Sequence, residues 1–177
     1  MLIYIILGIV IVFLAIVFCI YVINYNKFQV SIIKISEAEE NIGLLLKEKY
    51  QILLKIDSLM KQKNKDNAFD EINKLNIDEM NKFDLSKELS KYDKNVFEII
   101  DYNKDIEFVD EEGKVFDEFE NNNVECMAAE KYYNDNVVIF NRLVNCFPSN
   151  IIAKFKKYKN KDFYSNEKEE IFEILKK

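Results

Sequence analysis

Histidine is absent from the 177-residue chain, and glycine and proline occur only three times and once. Without an imidazole, a serine or cysteine nucleophile lacks its usual activating base, and a zinc or iron site lacks its commonest nitrogen ligand. So few turn-forming residues argue against an all-β fold and favour long helices. The glycines are isolated in sequence, so no glycine-rich phosphate loop is present. We therefore expect a helical protein that is not an enzyme and holds no metal or cofactor.

Cysteines are few and the charges are mixed. Cys19, Cys126 and Cys146 are widely spaced in the sequence, so we interpret them as reduced thiols, which fits a reducing compartment. The 31 acidic and 25 basic residues are interleaved and leave a net charge of -6. Because no basic stripe is evident, we expect no nucleic-acid partner and assign the charges to solvated helix faces.

Charged residues are missing from the first 23 positions, Met1 to Ile23. As a helix, this run would be roughly 34 Å long, which matches a hydrocarbon core of about 30 Å. A cleavable secretory signal is the alternative, but the basic leader, the shorter apolar run and the small residues at a cleavage site are all missing. We therefore predict a retained single-pass anchor in the cell membrane. Lys27 and Lys34 follow the run and no basic residue precedes it, which predicts a cytoplasmic C-terminal domain.

Beyond the anchor, apolar residues recur at spacings of three and four from Phe28 to Leu59. This spacing predicts an amphipathic, coiled-coil-like helix that continues the span to about Met60. Further helices are predicted over 68–83, 85–102 and 110–146, and Pro148 should end the last one because it cannot donate a backbone hydrogen bond. The predicted fold is all-α, with an N-terminal transmembrane helix that continues into an antiparallel four-helix up-and-down bundle.

These patterns predict three segments. Residues 1–23 form the transmembrane anchor, 24–156 the helical bundle, and 157–177 a flexible tail. Asn166 and Glu169 have the spacing to cap a short terminal helix in that tail.

Two blocks of the sequence resemble a known family. The first block follows the span and comprises Tyr25, Asn26, Glu37, Ala38, Ile42, Leu46, Lys47, Lys49, Tyr50, Ile52 and Leu53. The second block comprises Ala129, Lys131 to Asn134, Val137, Asn141 and Phe147 to Ala153. Together they resemble the bacterial LemA family. The resemblance implies a short N-terminal transmembrane helix and an antiparallel helical bundle, but it implies no reaction, because the biochemical role of the family is unsettled.

The chain departs from the family pattern at several positions. Leu54, Asn123 and Glu130 stand where proline, an acidic residue and arginine are usual. The middle of the chain, 66–120, follows the pattern only loosely. We therefore interpret the chain as a divergent member.

Two charged residues interrupt the apolar seams of their helices, Lys49 in the first helix and Glu130 in the long helix near the C-terminus. Two interpretations are open. The side chains form a buried pair across the bundle that fixes helix register, or each extends along its flexible stem to the edge of the seam.

The Tyr132, Tyr133 and Asn134 run is the candidate partner site. The spacing places Tyr133 in the core, and Asn134 and Asn141 are seven residues apart on one helix face. Buried asparagines in bundles bind neighbouring backbone or fix alignment. That role and partner recognition are the two alternatives for these residues.

Two functional classes follow from the sequence. The first is a membrane-tethered interaction module that binds another membrane or envelope protein. The second is a sensor or relay that transmits a change in packing along the continuous first helix. Self-association is left open by both.

Overall fold

The computed structural model of the chain describes residues 1–62, 69, 71–102 and 110–164, with 101–102 and 110–112 described by their backbone alone. Four α-helices occur in this part of the chain. They are α1 (Leu2–Gln62), α2 (Lys82–Tyr102), α3 (Asp110–Asn145) and α4 (Ser149–Lys156), with a 3-10 turn at Ile72–Lys74. No strand occurs among the described residues. The prediction of an all-helical bundle with a long apolar N-terminal helix is confirmed.

Helix α1 is a single unbroken helix of 61 residues. Its first part is a candidate membrane span by length and composition, with a mean hydropathy of 3.3 over the most apolar 18-residue window and none of that window buried. From Phe28 onward, apolar residues at three- and four-residue spacing are buried, as in an amphipathic helix. The apolar run and the amphipathic stripe therefore belong to one helix, as predicted.

Contacts divide the chain into two compact units. The central unit is Ala38–Tyr132, and the anchor unit is Met1–Glu37 with Tyr133–Lys177. Helices α1 and α3 each contribute to both units, and each unit is described by itself below.

In the central unit, α3 runs antiparallel to α1. Asn122 of α3 donates a hydrogen bond to the Leu45 carbonyl of α1 at 3.2 Å, and Lys55 of α1 pairs with Glu118 of α3 at 2.9 Å. The core of the unit includes Ile42, Leu46, Leu53, Ile56, Phe69, Ile72, Leu89, Val96 and Phe119.

The connection from α1 to α2 differs from the prediction of a helix over 68–83. In the described part of this stretch, the 3-10 turn Ile72–Lys74 is followed by turns, and α2 begins at Lys82. Asn81 caps α2, because its side-chain oxygen accepts a hydrogen bond from the Asp84 amide at 2.9 Å. Asn73 donates to the Asp57 carboxylate at 3.0 Å. Asparagines that bind locally or to α1 compete with helix formation. Phe69 and Ile72 are nevertheless buried, whereas Leu75 and Met80 are half-buried.

The anchor unit is built by the first part of α1, the last part of α3, and α4. Phe28 of α1 contacts Phe140 of α3 edge on, with ring centroids 5.7 Å apart, and Tyr158 lies against Phe28 at 5.1 Å. Ser31 of α1 donates to the Asn136 carbonyl of α3 at 3.4 Å. The pairing is antiparallel here as well.

Helix α3 ends at Asn145, and Pro148 directly precedes α4. Pro148 therefore stands at the break between two helices, where the sequence predicted it. Helix α4 ends at Lys156, and Lys157, which follows it, has a left-handed backbone with φ of 56°.

Candidate interaction site

Asn141 fastens the chain after α4 to the side of α3. Its amide nitrogen donates to the Lys161 carbonyl at 2.9 Å, and its side-chain oxygen accepts from the Lys161 amide at 2.8 Å. Asn141 is buried. One carboxamide thus satisfies both backbone polar groups of the residue that it faces, which a buried backbone requires.

Asn134 and Tyr133 continue this arrangement about two turns earlier on α3. The side-chain oxygen of Asn134 accepts from the Tyr164 amide at 2.9 Å, and the Tyr133 hydroxyl donates to the Asp162 carbonyl at 3.2 Å. The Tyr133 and Tyr164 rings meet edge on, with centroids 4.9 Å apart. Tyr133 is buried in the anchor unit, as the spacing predicted, and both asparagines bind backbone.

These bonds involve residues 161–164, which belong to the predicted flexible tail 157–177. The structure holds the chain against α3 at these residues. The rest of that prediction, including a terminal helix capped by Asn166, lies outside the described residues. Tyr132, the other member of the candidate run, is partly exposed and belongs to the central unit.

An apolar groove lies between α1 and α3 in the anchor unit, with a volume of about 460 Å³. It begins at Ile23, the last residue of the apolar run, and extends along α1 as far as Lys34. Its lining residues are Ile23, Asn26, Lys27, Val30, Ser31, Lys34, Asn136, Ile139 and Leu143. Val30 and Ile139 are exposed within it. The groove directly adjoins the candidate span.

Lys49 is buried in the central unit, and its ion-pair partner is Asp93 of α2. The Lys49 ammonium lies 2.6 Å from Oδ1 and 2.7 Å from Oδ2 of Asp93, and it donates to Oδ1 of Asn123 at 3.1 Å. It also lies 5.7 Å from the centroid of the Phe119 ring, in cation–π range. The lysine does not extend to the edge of the seam. One carboxylate and one carboxamide take up its charge inside the unit.

Lys49 and Glu130, the two charged seam residues, both line a small cavity in the central unit, which has a volume of about 180 Å³. The Glu130 carboxylate accepts a short hydrogen bond from the Ser86 hydroxyl of α2. Among the described residues, Glu130 is not the ion-pair partner of Lys49, so the pairing considered from the sequence is replaced by Lys49 with Asp93 and Glu130 with Ser86. The physical reason is that α2 packs against both helices here and supplies Asp93 to Lys49 and Ser86 to Glu130.

Burial dominates the titration of this cluster. It raises the pKa of Glu130, against the opposing effects of the Ser86 hydrogen bond and the Lys49 charge. Burial also raises the pKa of Asp93, and the Lys49 ammonium opposes that rise. The pKa of the Cys126 thiol in the same cavity is raised to about 11, chiefly by burial. A thiol with this pKa is protonated at neutral pH and is a poor nucleophile.

Asp93, Ser86 and Asn123 were not singled out as candidates from the sequence. Ser86 lies in the second turn of α2 and Asp93 in its polar middle, and spacing alone does not distinguish either from a solvated residue. Asn123 was noted only as a departure from the family pattern, and that departure was the available signal. No group of three or more metal-ligating side chains occurs in the described ranges.

Comparisons with known proteins give one result. The model of the LemA family matches residues 79–174, which is more than half of the chain. A search of the curated proteins and a search of the solved structures found no match. The matched region includes Asn134 and Asn141, which bind the chain after α4, and Glu130 of the buried cluster.

Proposed function

We propose that this chain, which belongs to the LemA family, is a non-enzymatic, single-pass membrane protein that binds another membrane protein through the groove of the anchor unit. The observation that carries the proposal is the continuity of two apolar surfaces on α1. Residues 2–23 are exposed and free of charge, and the groove begins at Ile23. A partner that follows both surfaces has to be a membrane protein itself.

The groove favours a helix as its occupant. On α1 the lining residues Ile23, Lys27, Val30 and Lys34 recur at three- and four-residue spacing, which is the pattern that a second helix packs against. Its middle is apolar at Val30 and Ile139, while Lys27 and Lys34 lie at its rim. We therefore expect a partner helix with apolar residues toward the groove and acidic residues at the rim.

The proposed orientation places the groove on the cytoplasmic side. Lys27 and Lys34 follow the span, and the structure adds basic residues from a distant part of the chain, since Lys156 lies 5.5 Å from the Tyr25 ring centroid. Basic residues near the end of a span favour a cytoplasmic position. In a variant whose own cysteines, Cys19, Cys126 and Cys146, are replaced by serine or alanine, modification of a cysteine introduced near Lys177 by an impermeant reagent in intact cells would contradict this orientation.

Photocrosslinking in intact membranes tests the partner proposal. A photoreactive phenylalanine analogue at Val30 or Ile139 should give a discrete adduct with a protein that has its own transmembrane span. The same analogue at Ile33, which is equally exposed on α1 but outside the groove lining, is the matched control. The adduct at Val30 should disappear when Ile139→Glu places a charge in the groove. Equal adducts at Val30 and Ile33, or adducts unaffected by Ile139→Glu, would contradict the proposal.

A relay is the second candidate, favoured by the unbroken course of α1 from the apolar run to Lys49. A relay requires that a change at the span alters the packing around the Lys49 pair. Hydrogen exchange of the amides of 46–53 should then differ between the protein in bilayers and the protein in detergent. The interaction module predicts the same exchange in both, so the measurement separates the two functions.

A further inference from the structure

An exposed apolar surface lies on α4 and on the turn before it. Ile151 and Phe155 are four residues apart on one face of the helix and are 53% and 88% exposed, and Phe147 in the preceding turn is 79% exposed. The opposite face is buried and comprises Ser149, Ile152 and Ala153. We call Phe147, Ile151 and Phe155 the α4 surface. Large apolar side chains grouped in this way mark a binding surface.

Contacts within the anchor unit place the α4 surface at the end of the apolar run. Lys156 lies over the Tyr25 ring, and Gln29 donates to the Tyr158 hydroxyl at 3.3 Å. Tyr25 is two residues beyond Ile23, or about 3 Å along the helix, and Gln29 is about 9 Å beyond it. The headgroup region extends about 5 to 7 Å beyond the hydrocarbon core on each side. With residues 2–23 in the bilayer, Lys156 at the end of α4 is therefore at the depth of the lipid headgroups, and Tyr158 lies just beyond them.

The other end of the α4 surface reaches the same level by a separate route. Phe140 of α3 packs on Phe28, and Leu143 lines the groove together with Ile23. Because α3 is antiparallel to α1 here, each later residue of α3 lies nearer the span. Asn145, the last residue of α3, is five residues past Phe140 and therefore lies near the level of Ile23, which is five residues before Phe28. Phe147 follows it in the turn before α4.

The charge around α4 complements an anionic membrane. From Arg142 to Lys161 the chain has six basic residues and no acidic one. Lys154, Lys156 and Lys157 lie in α4 or at its end and are exposed. An apolar face with lysines beside it is the composition of a helix that lies in a membrane interface, where long basic side chains reach the headgroups.

We propose that the α4 surface docks into the headgroup region of the anionic membrane that α1 spans. The occupant is the lipid surface, because continuity with the span and the basic flank both point to it. This inference rests on the proposed function, since it requires residues 2–23 in the bilayer. Docking of α4 adds a second contact with the membrane, so that the anchor unit is held against the bilayer by α4 as well as by the span.

Single tryptophans test the proposal, because the chain contains no tryptophan of its own. Full-length Phe155→Trp and Ile151→Trp are reconstituted into vesicles of phosphatidylcholine and phosphatidylglycerol, with and without brominated acyl chains. Ile33→Trp is the matched control, because Ile33 is 55% exposed, close to the 53% of Ile151. It lies ten residues past Ile23, about 15 Å along α1 and beyond the headgroups.

We expect brominated lipid to reduce the emission at positions 151 and 155 by about half, because an interfacial helix inserts about 5 to 10 Å. Emission from position 33 should be unchanged. Emission at 151 and 155 that matches position 33 would overturn the proposal. Blue-shifted emission that brominated lipid does not quench would place the surface against protein, such as a second copy of the chain, and would also overturn it.

Two further arms separate the parts of the proposal. Flotation of the vesicles is measured first, and protein that fails to float would refute the membrane anchor itself. Quenching is then read only on floated protein, so its absence there refutes the docking of α4 alone. In vesicles of phosphatidylcholine only, we expect weaker quenching at 155. Equal quenching in both lipid compositions would overturn the electrostatic part of the proposal.

Discussion

The anchor unit and the central unit of this protein bury polar groups in different ways. In the anchor unit, the buried side chains that bind across the unit are neutral amides and hydroxyls, and Asn134 and Asn141 bind backbone. In the central unit, an ammonium and two carboxyl groups share one cavity. Neutral amides satisfy a buried backbone at little electrostatic cost, whereas the buried charges depend on one another.

The two units also carry opposite net charges. The central unit contains 24 acidic and 14 basic residues, and the rest of the chain contains 7 acidic and 11 basic residues. The overall charge of -6 therefore conceals a basic anchor unit and a strongly acidic central unit. A basic unit next to a candidate span suits a membrane surface, and an acidic one does not.

The largest effect should come from removing the buried cation. Lys49→Met leaves Asp93 without its counter-ion, and we expect the free energy of unfolding to fall by about 3 to 5 kcal/mol. Urea unfolding of the full-length protein in detergent, followed by circular dichroism, measures it. Lys47→Met removes the exposed pair with Asp78 and should cost less than about 1 kcal/mol.

A double variant sharpens this test. Lys49→Met combined with Asp93→Leu should recover much of the lost stability, because no uncompensated charge remains. Equal losses for Lys49→Met and Lys47→Met, or additive losses in the double variant, would show that the central unit does not depend on this pair.

A loss of intermediate size is expected in the anchor unit. Asn141→Ala leaves both backbone groups of Lys161 without their partner, and we expect a loss of about 2 to 3 kcal/mol. The segment after α4 should then detach and be cut by trypsin at its lysines well before the wild type is. Asn121→Ala, on the exposed face of α3, should be cut at the wild-type rate. Unchanged cleavage of the Asn141→Ala protein would refute the fastening role of Asn141.

The pH dependence of the free energy of unfolding should also reflect the buried charges of the central unit. Because burial raises the pKa of Glu130 above its ordinary 4.5, the folded state binds its proton more tightly than the unfolded state does. The contribution of Glu130 to the free energy of unfolding therefore increases as the pH falls through the folded-state pKa of Glu130 toward 4.5. It decreases again as the pH rises through that pKa. Asp93, Lys49 and Ser86 face the group and belong to the same cluster.

Glu130→Gln keeps an oxygen for Ser86 and removes the titration. We expect urea midpoints of this variant to rise less between pH 7 and pH 5 than those of the wild type. Glu125→Gln, on the exposed side of α3, should follow the wild type. An identical pH response in all three proteins would rule out a raised pKa at position 130.

The smallest effect is expected at Gly43 on α1. A methyl group there would lie 2.9 Å from Cε of Lys82, whose ammonium donates to the Glu39 carbonyl at 2.7 Å. Gly43→Ala gains about 1 kcal/mol of helix propensity and loses a similar amount as Lys82 shifts, so the net change should be near zero. In a Lys82→Ala background, Gly43→Ala should stabilise by about 1 kcal/mol. A large loss in that background would mean that Gly43 faces backbone instead.

Sequence reasoning predicted the helices with the clearest spacing and missed what depends on tertiary partners. The continuous α1, the long α3 and the break at Pro148 follow from periodicity and from proline chemistry. The prediction of a helix over 68–83 was wrong in its described part. Asn73 donates to the Asp57 carboxylate and Asn81 caps α2, and a spacing pattern predicts neither interaction. The site was predicted in part. Tyr133, Asn134 and Asn141 were identified, but not the chain segment that they bind.

The partner of Lys49 was not predictable from the seams alone. Asp93 lies on a third helix, and its position depends on how α2 packs in the central unit. Asn123 and Glu130, two departures from the family pattern, both line the cavity with Lys49. The cavity brings together residues of three helices, which a contact map reveals and a single sequence does not.

Insertion of α1 in the bilayer underlies every functional step proposed for this protein. Alkaline carbonate extraction of membranes, followed by mass spectrometry of the N-terminus, tests it most directly. The account predicts that the full-length chain stays in the membrane pellet with residues 2–23 intact. Release into the supernatant, or a mature chain that lacks these residues, would contradict it.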